Sequence, residues 1–235
     1  MTDIAYLWPP PPPPSLAVHG TAARLPVQRI FLVGRNYHAH AIEMGRPVEK
    51  AKERPFYFTK AASTLVDSGA TVDYPPETGN YQYEMELVLA IGAPGFRVPV
   101  SAAATLVYGY ACGLDMTRRD LQLAAREKGR PWDLGKDFEQ SAVVSEVIPM
   151  PGRVLERGEI ALLVNGQAKQ KSDLSLLIWN IPELIADLSL FYHLQPGDLI
   201  FTGTPEGVGP VVAGDRIEGR IEGVGRIALQ VGAAR

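Results

Sequence analysis

Short apolar runs, broken at Gly, Pro and Asn, recur along the chain, and most of them alternate with period two. In "VQRIFLVGRNY" the stretch Val27 to Val33 reads as a strand turning at Gly34, and "HAHAIEMG" adds a short helical turn stopped by Gly45. "PFYFTKAASTLVDSGATVDYP" gives short strands around a turn at Ser68-Gly69, and "VYGYACGLDM" gives another strand. Asn165-Gly166 between the alternating runs of "EIALLVNGQAKQ" marks a hairpin, because both residues tolerate the positive φ its turn needs. Helical periodicity is confined to a few places. Ser101 is placed to cap a brief helix over "AAATL", and Thr117 to cap "RRDLQLAAREKG", with Asp120 in the capping-box position and Gly129 as the stop. Pro182 opens "IPELIADLSLFYHL", in which Leu184, Ile185, Leu188 and Phe191 form a buried face. Many strands and few helices predict a β-dominated α+β fold, not a doubly wound sheet. A single domain over 27–235 is expected behind a Pro-rich arm at 1–26.

One strand raises a chemical question. From Tyr81 to Ile91, the residues Tyr81, Tyr83, Met85, Leu87 and Leu89 share one face, and Gln82, Glu84, Glu86, Val88 and Ala90 share the other. Val88 and Ala90 make the second face apolar too, so Glu84 and Glu86 point toward a covered region. Two like charges that close, in low dielectric, need a cation between them or a proton on one of them. A hard divalent cation such as Mg²⁺ takes oxygen ligands. Asp115, where an apolar strand gives way to a helix, is the candidate third carboxylate; taken alone it reads equally well as a turn residue.

Other candidates lie close by in the sequence. Arg119 and Gln122 share a helix face with Arg126 one turn on, and a cation at a helix start, against the dipole, makes sense if it meets a ligand carboxylate. Lys136, between Trp132 and Phe138, either snorkels or serves an oxyanion. His40 and Glu43 are three apart on a helical turn, and an imidazole oriented by a carboxylate is a general base for water. The charged "RPVEKAKERP" that follows is a solvated loop or a lid over a site. "TGTPEGVGP" lacks the Lys-Ser/Thr of a phosphate loop and reads as a rigid turn presenting Thr202 and Thr204. His19, His38 and His193 show no partner and are read as structural.

Composition narrows the classes. A net charge of −3 argues against a general nucleic-acid binder. The one cysteine, Cys112, excludes an internal disulfide; it reads as a buried, inert thiol and fits a reducing, cytoplasmic setting. No apolar run approaches the roughly 20 residues a membrane helix needs, and the N-terminus lacks the basic start of a signal peptide. Its six consecutive prolines favour a stiff extended arm. A binding protein that recruits a partner through this arm is the non-enzymatic alternative, and it gains nothing from the buried Glu pair.

In order, "VGRNYHAHAIEMG", "FYFTK", "YEMELVLAIG", "GYACGLDMTRRDLQ", "GRPWDLGKDF", "VNG" and "LIFTGTPEGVGP" resemble the fumarylacetoacetate hydrolase superfamily. Each motif is weak by itself; the ordered set is specific and spans Gln28 to the C-terminus. The resemblance implies a mixed β-sandwich roll, a homodimer, and a divalent metal, Mg²⁺ first and Mn²⁺ or Ca²⁺ next. By position the metal ligands would be Glu84, Glu86 and Asp115. Arg119, Gln122, Lys136 and Thr204 would line the substrate, and His40 with Glu43 would form a lid dyad that activates water. The chain is most similar to the acylpyruvase-like members, among them fumarylpyruvate hydrolases of the bacterial gentisate pathway. The implied reaction is hydrolytic carbon–carbon cleavage of a 2,4-diketo acid, 3-fumarylpyruvate giving fumarate and pyruvate. The alternative is oxaloacetate decarboxylation or oxo-acid isomerisation on the same metal site. Where close relatives tend to have Lys-Pro this chain has Lys60-Ala61, and where they have histidines before the Glu pair it has Gln82-Tyr83.

Overall fold

Every residue of the strand Met85–Ile91 is buried, on both faces, and the fold is arranged around it. In the computed structural model, which describes residues 5–234, this strand pairs antiparallel with Val107–Asp115 and with Leu199–Phe201 in the middle of an eight-stranded mixed sheet. Ile30–Gly34 and Phe56–Lys60 extend the sheet on one side, Ala142–Val144 and Leu65–Asp67 on the other, and Ile148–Pro149 also pairs with Val107–Asp115. Met85, Leu87, Leu89 and Ile91 enter a large core shared with the helix Ile181–Leu188 and with a five-stranded sheet that contains Glu159–Val164 and Arg216–Ile221. Val88 and Ala90 enter a second core with Ala111, Val144, Leu199 and Phe201. A strand covered on both sides reads as a continuous apolar run. Each fully buried Leu or Ile along it contributes about 2 kcal/mol. The fold is the strand-dominated α+β class that the pattern predicts.

The stretch expected as one strand from Tyr81 to Ile91 is two. Tyr81–Tyr83 pairs with Thr117–Arg118 and Gly209–Pro210 in a separate three-stranded sheet, and the chain changes sheets at Glu84. At the break the Met85 amide donates to Gln170 Oε1 (3.1 Å), a side chain standing in for a ladder partner. Both strands are anchored on the first core, so the junction holds Glu84 and Glu86 at the rim of the large sheet.

Several local expectations need correction. Thr117 does not cap the helix Arg119–Glu127: Arg118 occupies the cap position with no side-chain bond, and Thr117 Oγ1 accepts from Lys136 instead. Asp120 turns back to the preceding loop, accepting from Thr78 Oγ1 (2.5 Å) and the Gly79 amide (2.9 Å), so no capping box forms there. Ser101 lies inside the helix Val100–Ala103, which Pro99 precedes. The capping box is on Ile181–Leu188, between Asn180 and Glu183. That helix ends at Leu188, which leaves Phe191 61% exposed rather than buried. The hairpin at Asn165-Gly166 is present, with φ of 50° and 76°. Cys112 is buried. Past its prolines, the N-terminal stretch forms a hairpin of Ser15–Ala17 with Arg24–Pro26 that places Leu16 in the second core. Among the described residues no helix is long and apolar enough to cross a membrane.

Candidate active site

The strand Val107–Asp115 runs antiparallel to Met85–Ile91 and pairs Leu114 with Met85, so its last residue, Asp115, arrives beside Glu84. The Asp115 amide donates to the Glu84 carbonyl (2.9 Å), which fixes the two backbones together. One carboxylate oxygen from each of Glu84, Glu86 and Asp115 lies within 4.8 Å of the others, and all three residues are buried. Glu86 accepts the Gly203 amide at 2.7 Å. Gly203 has φ +97°, and a Cβ there would stand 2.7 Å from Asn36 Cβ, so the close approach of this amide depends on glycine. Asn36, fully buried, braces the turn by donating to the Thr202 carbonyl (2.8 Å) and the Trp179 carbonyl (2.9 Å).

Three cations stand around the triad. From the short helix Asp133–Lys136, Lys136 Nζ reaches Glu84 Oε2 (2.7 Å), Asp115 Oδ2 (2.6 Å) and Thr117 Oγ1 (2.7 Å). Arg119 donates to Glu84 Oε1, to Gln82 Oε1 (2.8 Å) and to Gln122 Oε1 (2.5 Å). Lys60, wholly buried, lies 3.0 Å from Asp115 Oδ1 and donates to the carbonyls of Met116 (3.1 Å) and Lys136. Burial raises the Glu84 pKa, but Lys136 and Arg119 more than offset it and hold the carboxyl below the usual carboxylate range. Glu86 goes the other way. Burial, then the charges of Asp115 and Glu84, push it well above that range against the pull of the Gly203 amide.

These residues fit a divalent cation. The cations already present match the three carboxylates in number, yet among the described residues none pairs with Glu86. Asp115 Oδ1 is buried without an aligned hydrogen bond despite the nearby Lys60 ammonium. A carboxylate lacking a counter-charge beside an orphaned carboxylate oxygen is the donor set that a hard divalent ion takes up.

His40 closes the site from above, and it is 5% exposed. Its Nδ1 meets Glu43 Oε2 at 3.1 Å, and Glu43 Oε1 accepts the Gly207 amide at 3.1 Å, so the dyad is tied to the "TGTPEGVGP" turn. His40 hydrogen-bonding, the Gly207 amide and the Arg119 charge outweigh partial burial and hold Glu43 below the usual range. Glu84, Glu86, Lys136, Arg119, Gln122, His40 and Thr204 line one cleft of about 190 Å³, walled by Phe56, Phe58 and Trp132. Thr204 accepts from Gln170 Nε2 (2.9 Å), which leaves its own proton to donate.

A family model described as fumarylacetoacetate (FAA) hydrolase C-terminal matches residues 29–232. The chain belongs to the fumarylacetoacetate hydrolase family. Within it, a fumarylpyruvate hydrolase of a Ralstonia species is 69% identical over 191 residues, 81% of this chain and 100% of that relative. A mitochondrial oxaloacetate tautomerase of Homo sapiens is 38% identical over 209 residues, 87% of this chain and 91% of the relative. Among solved structures, a fumarylpyruvate hydrolase from Pseudomonas aeruginosa in complex with Mn²⁺ and pyruvate matches with a TM-score of 0.93. It is 46% identical and covers 97% of this chain and 100% of that one.

The structure brings all nine sequence candidates to this cleft or its wall: Asp115 stands behind the two glutamates, and Glu43 stands behind His40. Gln82 shares the strand face of Glu84 and Glu86, but the sequence gives it and Lys60 no role, and the structure makes them supports: Gln82 accepts from Arg119, and Lys60 lies behind Asp115. Gln170 and the Gly203 amide were missed altogether, because they act through tertiary hydrogen bonds that no local pattern marks. The turn carrying Thr202 is present, but Thr202 donates to the Leu87 carbonyl (3.1 Å) and faces away from the cleft.

Proposed function

We propose that this family member hydrolyses a carbon–carbon bond of a 2,4-diketo acid, with 3-fumarylpyruvate, giving fumarate and pyruvate, as its substrate. One observation carries the reading: the acidic triad and a carboxylate-oriented imidazole face the same cleft. Glu84, Glu86 and Asp115 would hold a divalent ion, Mg²⁺ in the cell, which when bound would supply Lewis acidity to the 2-oxo acid. Arg119 has five N–H donors and spends three on protein, so two are free for the substrate carboxylate, with Gln122 and Thr204 fixing its orientation. Because Glu43 engages Nδ1, His40 keeps Nε2 as the base that takes a proton from water attacking the C4 carbonyl. Collapse of that adduct breaks the C3–C4 bond and leaves its electron pair on the pyruvate fragment as an enolate. The Lys136 ammonium, its three N–H groups spent on Glu84, Asp115 and Thr117, eases the developing negative charge through its field, and the proton held on His40 returns to C3.

Relatives such as the human oxaloacetate tautomerase favour a second reading, enolisation without water attack. The test is the metal-stripped protein restored with Mg²⁺ or Mn²⁺ and given fumarylpyruvate, acetylpyruvate and oxaloacetate. Metal-dependent release of fumarate and pyruvate is expected to dominate. Oxaloacetate interconversion or decarboxylation with no cleavage of either acylpyruvate would overturn hydrolysis.

Residues 27–235 act as one catalytic domain of a cytoplasmic enzyme of the gentisate route, and the enzyme is a homodimer. The open groove on the five-stranded sheet supports the dimer: it sets Ala161, Leu163, Ala168 and Ala228 among acidic and basic side chains, Glu159, Glu218, Lys171, Arg220 and Arg226, that a second copy can match in charge. Light scattering is expected to give about twice the 25.5 kDa chain mass; a monomeric mass would refute it.

A further inference from the structure

The cleft continues past the groups assigned above, and its outer part is cationic. Arg35, Arg46 and Arg126 line the same cavity as the triad, in a chain whose net charge is −3. Two of them converge on one short segment: Arg126 Nη1 donates to the Met44 carbonyl (3.2 Å) and Arg35 Nη1 to the Arg46 carbonyl (3.2 Å). Arg35 also pairs with Glu53 at 3.1 Å and packs over the Phe56 ring at 5.3 Å, so its charge is largely spent. Among the described residues no carboxylate pairs with Arg46 or Arg126. Arg35 is held at φ +57°, a left-handed conformation that non-glycine residues seldom adopt, and this turns its side chain along the cleft wall. Between the two ends the wall is aromatic, Trp132 lying 5.4 Å from Phe56 and 5.7 Å from Phe58, ring to ring.

We propose that Arg126 and Arg46, with Arg35 holding the segment between them in place, form a subsite for the second carboxylate of a dicarboxylic acylpyruvate. The proposal rests on the acylpyruvate reading above and extends it to chain selection. The inner cations take the 2-oxo acid end. A trans-enoic acyl group is flat and stiff, suits the aromatic wall, and carries its far carboxylate straight outward to the two guanidinium groups without a carboxylate partner. Arginine is suited to that task because its planar fork matches a carboxylate bidentately. An acetyl group in the same place carries no second carboxylate to offer either arginine.

The experiment measures kcat and KM on fumarylpyruvate and acetylpyruvate for wild type, Arg126→Met, Arg46→Met and Arg126→Lys, with fumarate and crotonate compared as competitive inhibitors. Loss of one charge-assisted contact is expected to lower kcat/KM on fumarylpyruvate by roughly ten- to a hundredfold, chiefly through KM. Acetylpyruvate turnover is expected to stay within about twofold of wild type, since the subsite adds uniform binding only to the longer substrate. Arg126→Lys is expected to recover part of the loss, and the Met variants to bind fumarate no better than crotonate. Parallel losses on both substrates, or unchanged preference for fumarylpyruvate, would overturn the subsite while leaving the acylpyruvate reading intact. A wild-type enzyme that cleaves neither substrate would overturn both.

Discussion

Lys60 stands behind the candidate site rather than in it. Its side chain is wholly buried, its ammonium lies 3.0 Å from Asp115 Oδ1, and it donates to the Met116 and Lys136 carbonyls. Burial, with the nearby charge of Lys136, lowers its pKa, and Asp115 offsets only part of that. Lys60→Met keeps the volume of the stem and removes the charge. Deleting one partner of a buried pair costs roughly 3–5 kcal/mol, because the other charge stays behind. Two carbonyls also lose a donor, at about 1 kcal/mol each. Against that, Lys136 still holds Asp115 Oδ2 at 2.6 Å, and Asp115 can take up a proton. The low end is therefore expected, about 3 kcal/mol. In a domain of this size that is a fall of roughly 6–12 °C in the unfolding midpoint. The assay is thermal unfolding followed by circular dichroism, metal-free and with saturating Mn²⁺. Removing a positive charge next to Asp115 leaves the triad more anionic, so Mn²⁺ raises the midpoint of the variant more than that of wild type, and calorimetric titration shows equal or tighter binding. A midpoint within about 2 °C of wild type would refute the buried-pair reasoning. So would a folded variant that no longer binds Mn²⁺.

Glu84→Ala is expected to abolish Mn²⁺ binding in calorimetry and to lower turnover roughly a thousandfold, since Lewis-acid stabilisation worth about 4 kcal/mol goes with the ion; residual ion binding would show that the triad is not the ligand set. His40→Ala should retain ion and pyruvate binding but lose roughly 10²–10⁴ in hydrolysis, and a variant at more than a tenth of wild-type rate would remove His40 as the base. Glu43 has a lowered folded pKa, so its contribution is full above its ordinary value of about 4.5 and is lost as pH falls through the folded one. Protection of the 38–45 amides, corrected for the intrinsic exchange rate at each pH, should thus fall only below about pH 4.5, and a fall that begins near neutrality would assign it to another group. Lys50 and Arg54 dock the 46–55 loop on the helix Ile181–Leu188 through Glu183 (2.7 Å) and Asp187 (2.7 Å). These pairs are partly exposed and are worth under about 1 kcal/mol each. Arg54→Ala should therefore leave the midpoint within about 4 °C yet speed proteolysis inside the loop; unchanged cleavage would mean that the pairs do not hold it.

Much of the fold was legible because both faces of its central strand are covered, and such strands announce themselves as apolar runs; that same pattern made Glu84 and Glu86 conspicuous. The change of sheet at Glu84 was not legible, since it depends on Gln170 meeting the Met85 amide from a remote strand. Thr117 satisfies the local preference for a helix cap, but Lys136 needs an acceptor in a buried cluster, and a charge-assisted bond there outweighs a cap worth about 1 kcal/mol. Phe191 follows the helical period, yet the last backbone bonds tighten the chain after Leu188 and carry its ring outside. The loop "RPVEKAKERP" shows the limit most clearly. Its alternating charges have no apolar face and read as a solvated run, because sequence periodicity records what is buried and not what is paired. In the structure Lys50, Glu53 and Arg54 are each matched to a charge on another element, and one of those charges is Arg35 at the cleft. The segment that looked least informative thus links the helix Ile181–Leu188 to the cationic rim of the site. A change of charge at Glu53 would be felt first at Arg35, and through it at the Arg46 carbonyl that Arg35 holds.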